Sequence, residues 1–330
     1  MKVAVVILNW NGKELLENFL PAVVAYSQDA NIYLADNAST DDSILFVTEN
    51  LPEIKIIQNS ENGGYAKGYN EALKNLSEDI LVLLNSDVLV TRNWLLPIIA
   101  EFRKDDNLLA AQPKILDYKN KEYFEYAGAA GGFLDKYGYP FCRGRIFDTL
   151  EKDMGQYNNT FPIFWASGAC LFVRNESFWK VGGFDEDYFA HQEEIDLCWR
   201  LQNIGGKILY VSESKVFHVG GATLSSSNPR KTFFNFRNSL LNILKNVDGF
   251  KKVQIIFVRM LLDGMAAFQF LFRGKPQHFL AVIKAHFSFY GLVPKFFRKR
   301  VIKDVTFKYY YTKSIVFQYF IKGKRFFHQL

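Results

Sequence analysis

The sequence predicts a doubly wound α/β fold with a mostly parallel sheet, followed by a basic helical extension. Three observations carry that expectation. Short aliphatic runs alternate with segments of helical spacing through the first hundred residues. Polar clusters fall where the runs end, which is where open α/β sheets bind their ligands. The charge then divides: residues 1–230 hold 21 Lys and Arg against 31 Asp and Glu, while residues 231–330 hold 19 against 3, together with 23 aromatic residues. An acidic body with a basic, aromatic tail implies two parts with separate tasks, expected at 1–225 and 226–330. With 49% apolar residues in 330, the chain can bury a large core, and a disordered chain is excluded.

Residues 3–8 are an unbroken aliphatic run, the pattern of a strand covered on both faces. The run stops at Asn9 without a cleavage-type sequence, so a first strand is expected there and not a signal peptide. Residues 13–26 place Leu15, Leu16, Phe19, Leu20 and Val23 at helical spacing. Residues 31–35 predict a second strand ending at Asp36, 39–50 a helix with an acidic first turn, and 54–58 a third strand. A helix through 71–76 precedes a fourth strand at 80–84, which ends in Asn-Ser-Asp. Residues 117–160, rich in Tyr, Gly and Phe without a clear period, predict a long, partly irregular loop region toward substrate. Residues 164–173 and 207–211 are further strand candidates, and "LSSSNPR" (224–230) is the expected boundary before the basic tail. Cys142, Cys170 and Cys198 form an odd set without CxxC spacing, which argues against a disulfide framework or zinc site and for a reducing compartment.

Five clusters carry candidate chemistry. In "DNASTDD" (36–42), Asp36 can accept from a nucleobase N–H or a ribose hydroxyl, or Ser39 or Thr40 can cap the next helix. In "ENGGYAKGYN" (61–70), Gly63 and Gly64 let backbone approach a ligand and Lys67 can meet a phosphate, although a tight strand-to-helix turn explains the glycines equally. "LVLLNSDV" (81–88) delivers Asp87 to a strand end. There it can hold a divalent cation against a diphosphate if a second ligand joins it, or cap a turn. His218, in "KVFHVGGAT" (215–223), is the imidazole placed to join Asp87, or a structural histidine. In "HQEEIDLCWRL" (191–201), a helix starting near Glu193 puts Glu194 on the inward face with Leu197, Cys198 and Leu201. Glu193 lies nearer Asp196 and Arg200, and Asp196 with Arg200 is an i,i+4 ion pair. Helix-start electrostatics therefore explain Glu193 and Asp196 and leave Glu194 in need of another reason.

Taken in order, "VVILNWNG", "DNASTDDS", "NGGYAKGYN", "LLNSDV", "ASGACLFVRNESFWKVGGFDEDYFAHQEEIDLCWRL" and "VFHVGG" resemble an inverting glycosyltransferase of family 2 with the GT-A fold. The resemblance covers residues 3–224, over two thirds of the chain, and is strongest to the rhamnosyltransferase-like branch acting on bacterial surface polysaccharides. It implies that Asn9 and Asp36 contact the base and ribose of a nucleotide-sugar donor, with Gly63, Gly64, Lys67 and Ser86 nearby. Asp87 stands at the end of the family's Asp-x-Asp motif, with Asn85 replacing the first Asp, and would bind Mg²⁺ or Mn²⁺. His218 matches a histidine that completes the metal site in some members. Glu194 matches the catalytic base, a position usually held by Asp, while Trp165, Gly168 and Asp196 fall on the acceptor side. The implied reaction is a single displacement onto a lipid-linked or growing glycan acceptor, which needs one base and a cation but no covalent nucleophile. Donor and acceptor selectivity is expected to depend on the loops of residues 117–165.

Two rivals compete. A sugar-phosphate nucleotidyltransferase would carry a Gly-rich, Arg/Lys-bearing signature near the first strand, which "LNWNGKELL" lacks. A catalytically silent relative serving as a membrane or assembly scaffold would not need the retained acids. In the tail, residues 253–273 are the one candidate span, but Arg259 and Asp263 near its centre each cost about 2.5–3.5 kcal/mol on insertion scales. They are also an i,i+4 pair, so an amphipathic helix is expected. "KFFRKR" (295–300) and "KGKRFF" (322–327) suit an anionic cytoplasmic membrane leaflet, and the chain is expected to be peripheral on the inner face of the plasma membrane. A helical cap packed on the body is the alternative. No nucleic-acid module accompanies the basic residues, so no nucleic-acid partner is expected.

Overall fold

The computed structural model describes residues 1–220, 228–299 and 302–330. The expected 225/226 boundary and residues 221–223 and 300 of the quoted motifs lie outside the described residues. The first half alternates as β1 (Val3–Asn9), α1 (Lys13–Tyr26), β2 (Asn31–Asp36), α2 (Ser43–Asn50), β3 (Lys55–Gln58), α3 (Gly64–Leu73) and β4 (Ile80–Asn85). These four strands lie parallel in the order β3-β2-β1-β4. The aliphatic runs are explained by two covered faces: Ala4 and Val6 join one core, Val3, Val5 and Ile7 the other.

The chain continues through β5 (Val88–Val90), α4 (Leu96–Lys104) and β6 (Leu108–Asp117) to four short strands: β7 (Gly132–Leu134), β8 (Pro140–Cys142), β9 (Arg145–Ile146) and β10 (Thr149–Leu150). Next come β11 (Phe161–Pro162), β12 (Cys170–Arg174), α5 (Asn175–Lys180), α6 (Glu193–Asn203) and β13 (Lys207–His218). The main sheet reads β11-β13-β6-β12-β4-β1-β2-β3, with β5 also on β13. β12 runs antiparallel between β4 and β6, so the sheet is mixed beyond its parallel first half.

Several expectations shift. The second helix starts at Ser43, not at residue 39, because Ser39 is engaged elsewhere: its hydroxyl accepts from Asn9 and from the Asn11 N–H. Neither Ser39 nor Thr40 is its cap. α3 begins at Gly64, so the glycine turn is the helix start itself. The strand expected over 164–173 is confined to Cys170–Arg174, whereas the one at 207–211 runs on to His218 through a register shift between Val211 and Lys215. Residues 117–160 are partly irregular, as expected, but they also carry regular structure. β7–β10 make a second sheet, and Phe124, Phe133, Phe141 and Tyr157 are buried in the core.

Three helices follow: α7 (Pro229–Asn246), α8 (Lys251–Phe272) and α9 (Pro276–Arg298). α7 starts with Asn228 accepting from the Arg230 N–H and Pro229 in the first turn, where a missing N–H costs nothing. Beyond α9 the chain returns to the body. The Tyr311 N–H donates to the Leu134 carbonyl, and Phe327 packs among Phe133, Phe141 and Tyr311. One residue of "KGKRFF", Phe327, is therefore a buried core residue that ties the segment to the body, while Lys322 and Phe326 stay exposed.

Candidate active site

The carboxyl ends of β1, β2 and β4 meet at one edge of the sheet, as register dictates: Asn9 pairs with Asp36, and Leu8 with Asn85. Asn9 and Asp36 are both buried, and Asn9 Nδ2 donates to Asp36 Oδ1 (3.3 Å) and Ser39 Oγ (3.1 Å). Asp36 also accepts the Ser39 N–H (2.9 Å). Asn9 Oδ1 is buried without a partner among the described residues. A Cβ on Gly12 would sit 2.4 Å from that oxygen and 3.9 Å from Ser86 Oγ, so Gly12 keeps open the space between Asn9 and Ser86.

The Gly63–Gly64 turn closes the next side. Gly64 has φ +76°, and a Cβ there would lie 2.6 Å from the Phe189 carbonyl, which accepts the Tyr65 N–H (2.9 Å). Tyr65 reaches across to donate to the Gly168 carbonyl (2.8 Å). Lys67 stands at the surface in an ion pair with Glu61.

β4 delivers Asp87, and the pairing of β5 with β13 sets His218 beside it. His218 Nε2 lies 3.1 Å from Asp87 Oδ1, and both side chains are buried. On the other side, Glu125 Oε1 lies 3.3 Å from His218 Nδ1, at ion-pair distance. Burial lowers the imidazole's affinity for a proton, but Glu125 and Asp87 outweigh it and lift His218 to about 10. Burial raises Asp87, and His218 more than reverses that, so Asp87 stays below its ordinary value.

Two ligands at about 2.1 Å on adjacent corners of an octahedral ion stand about 3.0 Å apart. The Asp87–His218 gap matches that bite once the imidazole gives up its Nε2 proton to the incoming cation, and Glu125 backs the imidazole as a carboxylate commonly backs a metal-bound histidine. Among the described residues, no group of three or more His, Cys, Asp or Glu is arranged to hold a metal. The pair therefore fits a cation that takes its remaining ligands from diphosphate and water.

The EEID segment opens α6 after a strained loop. Phe189, His191 and Gln192 have φ of 64°, 67° and 75°, a left-handed conformation unusual for such residues. Glu194 is half-buried, close enough to Cys198 for its charge to act on the thiol, and less buried than Glu193 or Asp196. Burial lifts it to about 7, partly offset by backbone N–H groups of Glu194, Gln192 and Ile195. Glu193 is not the solvated helix-start acid expected. It is buried, its Oε2 has no partner among the described residues, and burial with the Glu194 charge pushes it well above the carboxylate range. Burial, with the Lys231 charge second, drops His191 to about 4.

Asp196 was expected on the acceptor side. Its carboxylate is fully buried and engaged by Arg200 (2.8 Å), Lys245 (2.9 Å) and Asn246 (2.9 Å), so it clamps α6 to α7 and does not face a substrate. Burial works against its ionised form, but the Arg200 and Lys245 charges hold it well below the usual range. Trp165 is likewise a buried wall: its ring covers Gly132 and its Nε1–H donates to the Phe133 carbonyl (3.1 Å). Gly168 lies at the Tyr65 hydroxyl, between the donor-side turn and β12.

Sequence reasoning missed the support of the strained loop. Asn238 Nδ2 donates to the carbonyls of Tyr188 (3.1 Å), Ala190 (3.0 Å) and His191 (2.7 Å), and Asn242 Nδ2 to that of Gln192 (3.2 Å). A signal existed: Asn238, Asn242 and Asn246 recur every fourth residue among apolar neighbours, which is one face of a helix.

The model of the Glycosyl transferase family 2 matches residues 4–182. That range includes Asn9, Asp36, Asp87 and Trp165 but ends before Glu194 and His218. N-acetylglucosaminyl-diphospho-decaprenol L-rhamnosyltransferase of Mycobacterium tuberculosis is 27% identical over 218 residues, covering 62% of this chain and 71% of its own. Staphylococcus aureus TarS 1-349, solved with UDP-GlcNAc, superposes with a TM-score of 0.58 at 15% identity, covering 89% of this chain and 82% of that one. The mannosyltransferase PcManGT of Pyrobaculum calidifontis, solved with GDP-Man and Mn²⁺, gives a TM-score of 0.55 at 13% identity, with 88% and 87% covered. The chain has the GT-A fold and belongs to glycosyltransferase family 2, where it is rhamnosyltransferase-like.

Proposed function

We propose that this chain is an inverting glycosyltransferase that moves a sugar from a nucleoside-diphosphate donor to a lipid-linked or growing glycan acceptor in bacterial surface-polysaccharide or cell-wall synthesis. The observation that carries the reading is the bond from the Tyr65 N–H to the Phe189 carbonyl. It ties the glycine turn on the donor side to the loop that presents Glu194, so phosphate and base functions share one cleft.

Asn9 and Asp36 hold the base and ribose, and Ser86 with the Gly63–Gly64 turn lines the phosphates, with Lys67 at the rim. Asp87 and His218 are the residues to hold Mg²⁺ or Mn²⁺, which when bound supplies positive charge to the leaving diphosphate. Glu194 takes the proton of the acceptor hydroxyl. The freed oxygen bonds to the anomeric carbon opposite the diphosphate, the carbon–oxygen bond to the diphosphate breaks, and the nucleoside diphosphate leaves with the bonding pair. Gly168, beside Tyr65, lies toward the acceptor.

The mycobacterial relative is named for rhamnosyl transfer to a lipid diphosphate-linked sugar, which supports a lipid-linked acceptor here. Such an acceptor puts the reaction at the cytoplasmic face of a membrane, with the chain peripheral to it. A panel of UDP-, GDP- and dTDP-sugars tests the reading by thermal stabilisation, hydrolysis with and without Mg²⁺ or Mn²⁺, and the anomeric configuration of the product. Glu194→Gln is expected to bind donor normally and lose transfer by at least about a hundredfold. Near-normal transfer by this variant would remove Glu194 from the role, and retention of the donor's configuration would remove the single displacement.

A further inference from the structure

α8 is inside-out for a helix in water. Its buried positions are Ile255, Arg259, Asp263 and Ala267, so the charged pair faces the body. Arg259 Nε donates to Asp263 Oδ1 (2.7 Å), Nη2 to Ser239 Oγ (2.8 Å) and Nη1 to the Tyr137 carbonyl (3.0 Å), and Tyr139 donates to Asp263 (2.8 Å). The exposed stripe is apolar: Phe257, Leu261, Met265 and Phe268 follow at intervals of four, four and three, and Phe257 is 64% and Met265 67% exposed. α9 repeats the pattern with Ile283, Phe287 and Tyr290, of which Phe287 is 72% exposed. The two helices form an antiparallel hairpin, joined by Phe268 against Phe279 and by Tyr290 against Met260. Since Phe268 and Tyr290 are themselves exposed, both stripes flank one seam.

Charge identifies the occupant. Between residues 249 and 303 the sequence has eleven Lys and Arg and a single acid, the buried Asp263. Lys251, Arg273, Lys275 and Lys284 are exposed and form no ion pair among the described residues. A second copy docking the same face would bring like charge against like. A bilayer-spanning α8 would have to break the Arg259–Asp263 pair from Ser239, Tyr137 and Tyr139. An anionic lipid surface accepts both features: the apolar stripes enter the acyl boundary and the basic rim meets the headgroups.

We infer that the α8–α9 hairpin is a monotopic docking surface for an anionic bilayer, lying in its interface with the Phe257–Phe268 and Ile283–Tyr290 stripes immersed. This deepens the location proposed above and rests on the chain working at a membrane, but it is independent of the transfer chemistry. The test is co-sedimentation of the full chain with phosphatidylglycerol/phosphatidylethanolamine vesicles and with phosphatidylcholine vesicles. Thermal midpoint, donor hydrolysis and light-scattering mass are measured alongside. Wild type is expected to bind the anionic vesicles and to be released by alkaline carbonate. Phe257→Ser/Met265→Ser/Phe287→Ser, and separately Lys251→Glu/Arg273→Glu/Lys275→Glu, are expected to weaken binding about tenfold or more at unchanged thermal midpoint.

Failure of wild type to bind, equal binding to neutral vesicles, carbonate resistance, or a dimer that the apolar variant abolishes would each overturn the inference. Vesicle binding without donor turnover would instead leave the docking surface standing and remove the proposed chemistry.

Discussion

A general base has to be ionised before it can take a proton, yet basic enough to hold it. Glu194 meets both requirements because burial lifts it from 4.5 to about 7. The active form is deprotonated, so kcat/KM is expected to rise about tenfold per pH unit below pH 7 and to level off above it. A pH–rate profile falling through pH 7 would assign the proton to another group, and an acid limb near 4.5 would show that burial does not lift Glu194. Helical phase at 100° per residue sets Glu194 apart from Glu193 and Asp196 by direction, yet those two are the more deeply buried acids. Phase does not reveal that Glu193 is buried. The entry angle of α6 is set by left-handed Phe189, His191 and Gln192, a backbone conformation that side-chain spacing does not record. Glu125 was invisible for a different reason: it lies in an aperiodic stretch that folds back on β6, where its N–H donates to the Ile115 carbonyl, and β6 pairs with the strand that carries His218.

At the scale of elements, the proposed base Glu194 sits at the end of a loop that α7 supports. Asn238 serves three carbonyls of the strained loop with one amide group; that of Tyr188 also accepts the Ala190 N–H and Arg237, whereas Ala190 and His191 offer carbonyls for which Asn238 is the donor. Asn238→Ala removes the donor to the Ala190 and His191 carbonyls and is expected to cost about 1–3 kcal/mol of stability. The loop carries Glu194, whereas the proposed donor contacts lie on β1, β2 and α3, so kcat should fall while donor KM moves little. Urea unfolding and steady-state kinetics read the two effects, and a change confined to donor KM would contradict this division. The doubly wound half was legible because each strand and helix there is a local period. α7 was read as part of a separate basic tail because its polar face has meaning only against the loop it supports. Its asparagine stripe is nonetheless a periodic signal, and its net charge drew attention away from it.

For the whole molecule, the charge split in the sequence describes the surface better than the architecture. The last hundred residues do three things: α7 braces the candidate active site, α8 and α9 expose apolar stripes, and residues 302–330 return to the small sheet. Tyr319 meets Thr149 (2.8 Å), and the Phe327 N–H donates to Glu151 (3.3 Å). Composition treats the Phe-rich hairpin and the Phe-rich terminus alike, since burial depends on contacts far apart in sequence. Their substitutions should therefore behave oppositely. Phe327 sits in the aromatic cluster with Phe133, Phe141, Tyr157 and Tyr311, and Phe327→Ala leaves a cavity costing about 3–5 kcal/mol. Chemical denaturation should show that loss, with vesicle binding of the still-folded variant unchanged because no lipid-facing group has been removed. An unchanged midpoint with weakened vesicle binding would mean that the terminus, and not the hairpin, meets the membrane.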